Sequence, residues 1–246
     1  MRHRGNTCFT STGSSNTLGP AVISLSLLVT CSSPPAAYEA ERRRMVVDQI
    51  ESRGVGDPRV LSALREVPRH LFVPPSEQPN AYADRPLPIG YGQTISQPYV
   101  VALMTELVRP EPGDRALEVG TGSGYQAAIL SRLVREVYTI EIVEPLGREA
   151  GRRLRNLGFS NVTVKVGDGY GGWPEAAPFD IILVTAAPEQ VPPPLIDQLK
   201  PGGRMVIPVG AISDVQSLQL IRKDSEGRIE SRSVLPVRFV PLTRSR

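Results

Sequence analysis

Leu117-Glu118-Val119-Gly120-Thr121-Gly122-Ser123-Gly124 decides the fold. An apolar strand runs straight into three alternating glycines, and a helical stretch opens at Tyr125. Glycine lets the backbone turn tightly and lets a ligand approach the main chain, while the helix behind it points unpaired N–H groups at that ligand. The same alternation continues downstream. Strands are expected over 116–119, 136–140, 162–166, 180–184 and 204–209, with helices over 125–134, 144–157 and 193–199 between them. Strands and helices that alternate at this length form right-handed βαβ crossovers, so the fold class is α/β with a doubly wound, mainly parallel sheet. The last third breaks the rhythm. Two strand-like runs, 217–222 and 229–240, are joined through Lys223-Asp224-Ser225-Glu226-Gly227, which is a hairpin signal and gives the sheet an antiparallel C-terminal end.

The strand ends carry the chemistry. In open α/β sheets ligands bind at the carboxyl edge. Glu141 follows the second strand about 20 residues after the glycine loop, where a carboxylate reaches ribose hydroxyls. Gly167-Asp168-Gly169 follows the third strand at the same edge. Three polar or glycine-rich strand ends in succession point to one nucleotide-type ligand crevice. The frame Gly122-Ser-Gly124-Tyr-Gln-Ala127 also fits the dinucleotide pattern G-x-G-x-x-A, so an NAD(P)-dependent oxidoreductase is an alternative.

Upstream, residues 39–53 form a charged amphipathic helix ended by Gly54. Asp57-Pro58 then supplies an N-cap with Pro at the first helical position, opening a helix through about Val67. Residues 68–95 are a Pro-punctuated connection, too rigid for a linker. Ser96 is placed to cap a helix over 98–108 whose Val100, Leu103, Met104 and Leu107 share a face. His70 is the one histidine in this folded region and is assigned to packing or loop hydrogen bonding. Trp173 and Tyr170 are assigned to walls or core.

Composition narrows the function. Apolar residues make up 40% of 246 and charged residues 22%, which excludes a wholly disordered chain. Lys plus Arg (28) nearly balance Asp plus Glu (25), so the +3 charge is no basic stripe and nucleic acid is not an indicated partner. Cys8, Cys31, His3 and His70 are the only cysteines and histidines, which excludes a disulfide scaffold, a zinc ribbon and a His-cluster metal site. No metal is expected.

Residues 1–37 differ from the rest. Arg2, His3 and Arg4 precede an uncharged Ser/Thr/Asn/Gly stretch and the apolar run 18–30, an order that resembles a secretory signal peptide. The run is too short, and too interrupted by Ser24 and Ser26, to span a bilayer as a mature helix. Leu28-Val29-Thr30-Cys31 resembles a lipoprotein cleavage site with Thr30 in place of a smaller residue, and Pro35-Ala36-Ala37 offers an ordinary site. The competing reading is an upstream start that appends irrelevant sequence, with the true start near Met45. The domain division is thus 1–37 as a signal-like or disordered segment and 38–246 as the catalytic domain, with membrane contact only if Cys31 is lipidated.

Several ordered segments resemble one family. Gly90-Tyr91-Gly92-Gln93-Thr94-Ile95-Ser96-Gln97-Pro98, the glycine loop, Gly167-Asp168-Gly169, Leu195-Ile-Asp-Gln-Leu-Lys-Pro-Gly-Gly203, Ile207-Pro-Val-Gly210 and Phe239-Val-Pro-Leu-Thr243 together look like the bacterial protein-L-isoaspartate O-methyltransferases. The glycine loop is common to S-adenosylmethionine-dependent methyltransferases, whereas Thr-Ile-Ser-Gln-Pro and Val-Pro-Leu-Thr are particular to this family. The resemblance covers residues 38–246.

It implies a methyltransferase-type sheet with the antiparallel hairpin, and S-adenosylmethionine as methyl donor. Gly120, Gly122, Gly124, Glu141, Ile142, Asp168 and Gly169 would bind the donor, with Glu141 on the ribose and Asp168 near the adenine amino group. Gln93, Thr94, Ile95 and Thr243 would complete the site, with Ser96 in the active-site position. The implied partners are damaged proteins and peptides containing L-isoaspartyl residues, acted on by a monomer. Some relatives carry histidines shortly after this serine where Tyr99 and Val101 stand here, so no role of those histidines transfers. The implied acceptor is a carboxylate, already ionised at neutral pH, so the shortage of histidine is consistent with the chemistry. Because the donor is made in the cytosol, the cytoplasm is the expected compartment, with export or a lipid anchor as the alternative. A non-catalytic binding protein on the same fold is the remaining competitor.

Overall fold

The computed structural model describes residues 35–211 and 213–244. The basic, apolar and lipoprotein features proposed for residues 1–34, including Cys31, lie outside the described residues, whereas the Pro35-Ala36-Ala37 cleavage site falls at the start of the first helix, Pro35–Arg44.

The chain enters through α1 (Pro35–Arg44), which widens into a π-type turn over Met45–Ile50 and tightens to a 3-10 turn over Glu51–Arg53. Gly54 stops it at φ +93, a left-handed conformation that a residue with a Cβ rarely adopts. Helix α2 (Pro58–Glu66) starts as read: Asp57 accepts a 2.8 Å hydrogen bond from the Arg59 N–H and Pro58 holds the first helical position. The connection that follows is more ordered than its prolines suggest. It holds two 3-10 turns and then a small antiparallel hairpin of β1 (Leu87–Gly90) and β2 (Gln93–Ile95). Helix α3 (Pro98–Leu107) comes next.

The remaining chain builds a seven-stranded sheet. In chain order its elements are β3 (Arg115–Val119), α4 (Tyr125–Ser131), β4 (Glu136–Glu141), α5 (Glu144–Asn156), β5 (Val162–Val166), β6 (Phe179–Val184), α6 (Pro193–Gln198), β7 (Leu199–Val209), β8 (Gln216–Lys223) and β9 (Ile229–Val237). The spatial order is β5-β4-β3-β6-β7-β8-β9. The first five strands in that order are parallel, and β8 and β9 run antiparallel, as the hairpin signal requires. The chain winds outward from β3 to β5, then returns to pair β6 on the other side of β3. That reversal opens a crevice at the carboxyl ends of β3 and β6.

Both sheet faces are covered, which explains why the central strands read as unbroken apolar runs. On one face Ala116, Ile181, Leu183 and Val206 pack with Met45, Leu64, Leu130 and Leu154 from the helical layer. On the other, Leu117, Val119, Ile182, Val184 and Met205 pack with Leu195 and Phe179. Trp173 sits edge-on to Tyr138 at a centroid distance of 5.3 Å against this second core, the wall role assigned to it. His70 is likewise structural. It stacks on Tyr38 at 4.1 Å, and its Nδ1 lies 2.8 Å from the Tyr82 hydroxyl. Burial, and secondarily the Arg42 charge, hold its pKa below the usual histidine value.

Candidate active site

Each wall of the crevice comes from a different strand end. After β3 the chain turns through Gly120 (φ +99), Gly122 (φ +54) and Gly124 (φ +92). A Cβ on Gly120 would come within 2.5 Å of the Thr185 hydroxyl, so only glycine fits between β3 and β6 here. Thr185, just beyond β6, donates to the Gly120 carbonyl at 2.6 Å and lies 3.1 Å from that of Val119, tying the loop to the neighbouring strand. Gly124 serves the helix that follows. It is the left-handed N-cap of α4, its missing Cβ leaves room for Leu154 at 3.1 Å, and it does not line the crevice.

At the end of β4, Glu141 is only 5% exposed and holds the loop from the far side. Its Oε2 accepts from the Gly122 N–H at 2.8 Å and its Oε1 from the Val143 N–H at 2.9 Å. The carboxylate is thus fixed by two main-chain donors, with lone pairs left over for a ligand. Asp168 caps the turn after β5 by accepting from the Tyr170 N–H at 2.9 Å, and Arg244 approaches its Oδ2 at 3.8 Å while lying over the Tyr170 ring at 4.3 Å. Gly169 lines the crevice, whereas Asp168, its chain neighbour, is not among the lining residues.

The β1–β2 hairpin and the C-terminal segment close the other side. Arg69, fully buried, donates to the Ala81 carbonyl at 2.8 Å and to the Ser96 carbonyl at 2.7 Å, so the main chain of Ser96 is held from below. Desolvation brings the Arg69 pKa down to about 10, which leaves it charged at neutral pH. The cap expected from Ser96 is not made. Gln97 occupies the N-cap of α3 without a side-chain bond, and among the described residues the Ser96 hydroxyl has no hydrogen-bond partner. Ser96 stands one residue outside the N-cap and lines both cavities. Beyond β9, the Ala187 N–H donates to the Val240 carbonyl at 2.8 Å and the Leu242 N–H to the Ala187 carbonyl at 2.9 Å, pinning residues 240–243 beside Thr185.

Together these elements enclose one cleft that opens to solvent. Gln93, Thr94, Ile95, Ser96, Gly120, Gly122, Glu141, Ile142, Gly169 and Thr243 all line it, so the structure brings together all the expected site residues except Gly124 and Asp168. It adds several that the sequence did not single out: Glu118, Gln126, Tyr125 and Thr185. Glu118 is fully buried, and its Oε2 accepts from the Thr139 hydroxyl at 2.6 Å while its Oε1 has no partner. Burial pushes its pKa up to about 8, with the neighbouring Glu141 adding to the rise. The Gln126 Oε1 and the Tyr125 hydroxyl are also buried without partners. Two carboxyl groups line this cleft and no Lys or Arg does.

A second cavity adjoins it and shares Thr94, Ser96, Thr185 and Val240 with it. Its charge is opposite. Arg53 and Arg238 are its charged residues, and Val100, Val215, Leu235, Val237 and Phe239 stand among its walls. Among the described residues no group of three or more His, Cys, Asp or Glu is placed to hold a metal ion.

Comparison with known proteins agrees with this architecture. The family model for protein-L-isoaspartate(D-aspartate) O-methyltransferase matches residues 40–246. A relative from Polaromonas sp. (strain JS666 / ATCC BAA-500), named protein-L-isoaspartate O-methyltransferase 2, is 63% identical over 190 residues, covering 77% of this chain and 90% of its own. One from Opitutus terrae is 54% identical over 226 residues, covering 90% and 97%. Among solved structures, a protein-L-isoaspartate O-methyltransferase at 33% identity superposes with a TM-score of 0.72 over 81% of this chain and 65% of the other. A β-aspartate methyltransferase from Plasmodium falciparum, in complex with S-adenosyl-L-homocysteine, superposes with a TM-score of 0.73 at 25% identity, covering 83% and 99%. The chain belongs to the protein-L-isoaspartate(D-aspartate) O-methyltransferase family.

Proposed function

We propose that this protein transfers a methyl group from S-adenosylmethionine to the free α-carboxylate of L-isoaspartyl residues in damaged proteins and peptides. The observation that carries the reading is the meeting of two unlike cavities at Ser96: one lined by carboxyl groups without a cation, the other by arginines without a carboxyl group. The first suits a donor that carries an ammonium and a sulfonium, and the second suits a peptide that brings an anion. A dinucleotide would set its pyrophosphate on the glycine loop and the N-terminus of α4, beside the buried carboxyl group of Glu118, which disfavours the oxidoreductase alternative.

The residues present fit the donor. The unpartnered Glu118 Oε1 and Gln126 Oε1 are buried acceptors in the cleft, where the ammonium and hydroxyl groups of the donor are hydrogen-bond donors. Glu141 would hold the ribose, and Gly169, with its chain neighbour Asp168, the adenine end. Gly120, Gly122 and Ile142 would form the floor, and Gln93, Thr94, Ile95 and Thr243 the cover. When bound, S-adenosylmethionine supplies an electrophilic methyl group.

The chain's own contribution is placement. A carboxylate is its own nucleophile at neutral pH, so no general base is needed. The Ser96 hydroxyl, with no partner among the described residues, is available to donate to the acceptor carboxylate and orient it, and the apolar walls of the second cavity strip water from it. In the methyl ester formed, the adjacent backbone amide nitrogen attacks the ester carbonyl and expels methanol to give a succinimide; water opens that ring to aspartyl or isoaspartyl, and repeated turnover of the isoaspartyl product returns the normal backbone linkage. A scaffold that only binds has no need of a second cavity that opens onto the donor cleft.

Residues 38–246 form the complete catalytic unit on this reading, and a monomer is its working form because one chain supplies both cavities. The cytoplasm, where the donor is made, is its compartment. Among the described residues no helix is long and apolar enough to cross a membrane. The direct test is incubation of the purified protein with methyl-labelled S-adenosylmethionine and an L-isoaspartyl peptide, reading label in an alkali-labile ester. Absence of that ester from an active-donor incubation with folded protein overturns the reading.

A further inference from the structure

We propose that Arg238 is a specificity-determining residue whose guanidinium captures the anionic acceptor, an inference that rests on the methyl-transfer reading above. The reaction requires a carboxylate to sit beside Ser96, yet the donor cleft offers no Lys or Arg and contributes the carboxyl groups of Glu118 and Glu141. An approaching anion therefore has to be attracted from the second cavity. That cavity has two cations and no acidic lining residue.

The two arginines are not equivalent. Arg53 is already engaged: its Nη1 lies 2.8 Å from the Asp84 carboxylate and its guanidinium lies flat over the Tyr99 ring at 3.5 Å. The same Asp84 oxygen also accepts from the Gln97 amide at 2.7 Å, so the Arg53 charge is balanced within this corner, with Asp84 Oδ1 left unpartnered. Arg238 makes no ion pair and no side-chain hydrogen bond among the described residues, and its side chain is exposed at the cavity wall.

Its main chain is nevertheless fixed. The neighbouring Phe239 N–H donates to the Oε1 of the buried Gln216 at 2.9 Å, and the segment just beyond is tied to Ala187. The uncompensated charge is thus mounted on a rigid strand end, at the rim of the space the acceptor must enter. A mobile charge on a fixed base steers and retains an anion, and does so in a salt-sensitive way. It adds nothing to the methyl-transfer step itself, so its signature falls on KM.

The test uses the full chain, an L-isoaspartyl peptide and initial rates at about 20 mM and about 500 mM salt, a range over which exposed charges become screened. Arg238→Gln is expected to raise KM for the peptide roughly 10-fold at low salt with kcat within about 2-fold, and to abolish most of the salt dependence of kcat/KM. Arg238→Lys, which keeps the charge, is expected to keep KM within about 3-fold of the parent. Calorimetric titration with S-adenosylhomocysteine is expected to give the parent affinity for both variants. An unchanged KM in Arg238→Gln, a parent-like salt slope, a loss confined to kcat, or a lost donor affinity each overturn the proposal. If the parent itself methylates no isoaspartyl peptide, the underlying reading falls with it. Normal parental turnover with an unmoved KM in Arg238→Gln removes the role of Arg238 alone.

Discussion

Replacing Glu141 by alanine separates donor binding from loop support, because the structure shows the carboxylate doing one task and having capacity for another. Its two oxygens accept from the Gly122 and Val143 N–H groups at 2.8 and 2.9 Å, and a carboxylate oxygen has a second lone pair free. Hydrogen bonds to a charged group are worth about 1.5 to 3 kcal/mol, so loss of the ribose contacts should weaken donor binding by roughly 10-fold to 150-fold. Alanine also leaves two main-chain donors without their acceptor. Water entering the open cleft can replace it, so the stability cost should stay near 1 kcal/mol. Glu141→Gln keeps the side-chain length and one acceptor oxygen, and should fall between parent and alanine. The assay is calorimetric titration with S-adenosylhomocysteine, paired with thermal melts. An unchanged affinity in a folded Glu141→Ala protein would refute the assignment of Glu141 to the ribose.

Three further outcomes are expected. Glu118 has its folded-state pKa raised from 4.5 to about 8, so the protonated form is favoured on folding. Its contribution is fully present below about 4.5 and is lost as pH rises through about 8. The donor-free parent should accordingly lose Tm across that window and Glu118→Gln should lose less, whereas parallel pH–Tm curves would show that Glu118 ionises freely. Ser96→Ala should lower kcat for an isoaspartyl peptide about 10-fold to 100-fold through lost orientation, with donor affinity within about 2-fold of the parent. Because the hydroxyl caps no helix, an unstable Ser96→Ala protein with normal turnover per folded molecule would contradict the positioning role. Removing residues 1–34, which stops short of α1, should leave donor affinity and melting temperature unchanged. A truncated protein that unfolds or fails to bind donor would show that the segment packs on the domain.

What the sequence disclosed and what it hid follow from the same physics. Strands β3, β4 and β6 were legible because each is largely buried and ends in glycine or a polar turn, and the less buried edge strand β5 was read with the observed bounds, Val162–Val166. Strand β7 starts five residues before the expected Arg204, because Pro201-Gly202-Gly203 reads as a turn whereas the pairing with β6 shifts register and carries on. Helix α4 ends at Ser131, three residues early, since apolar Leu133 and Val134 continue a helical pattern while serving the core in another conformation. The β1–β2 hairpin went unread because Pro86 and Pro88 argue against a strand, and an edge strand in a two-stranded ribbon tolerates them.

In the site, strand-end glycines and Glu141 were legible as types at positions. The fit of Gly124 against Leu154 was not, since it depends on a contact 30 residues away. Glu118 and Thr185 were hidden for a related reason: their roles come from which strands lie side by side. The alternation along β3 would have flagged Glu118 as a polar residue at a buried position.

The central claim is that this site methylates the abnormal carboxylate and leaves the normal one. In an isoaspartyl residue the free carboxylate hangs directly from the α-carbon while the chain runs on through the side chain, so a peptide gripped in the second cavity presents it where an ordinary aspartyl carboxylate does not reach. The most direct measurement gives the purified protein two peptides of identical sequence, one with a single L-isoaspartyl residue and one with L-aspartyl in its place, together with methyl-labelled S-adenosylmethionine. The expected result is alkali-labile label in the isoaspartyl peptide and none above background in its twin. Equal labelling of both peptides, or of neither by a protein that binds the donor normally, would contradict the account.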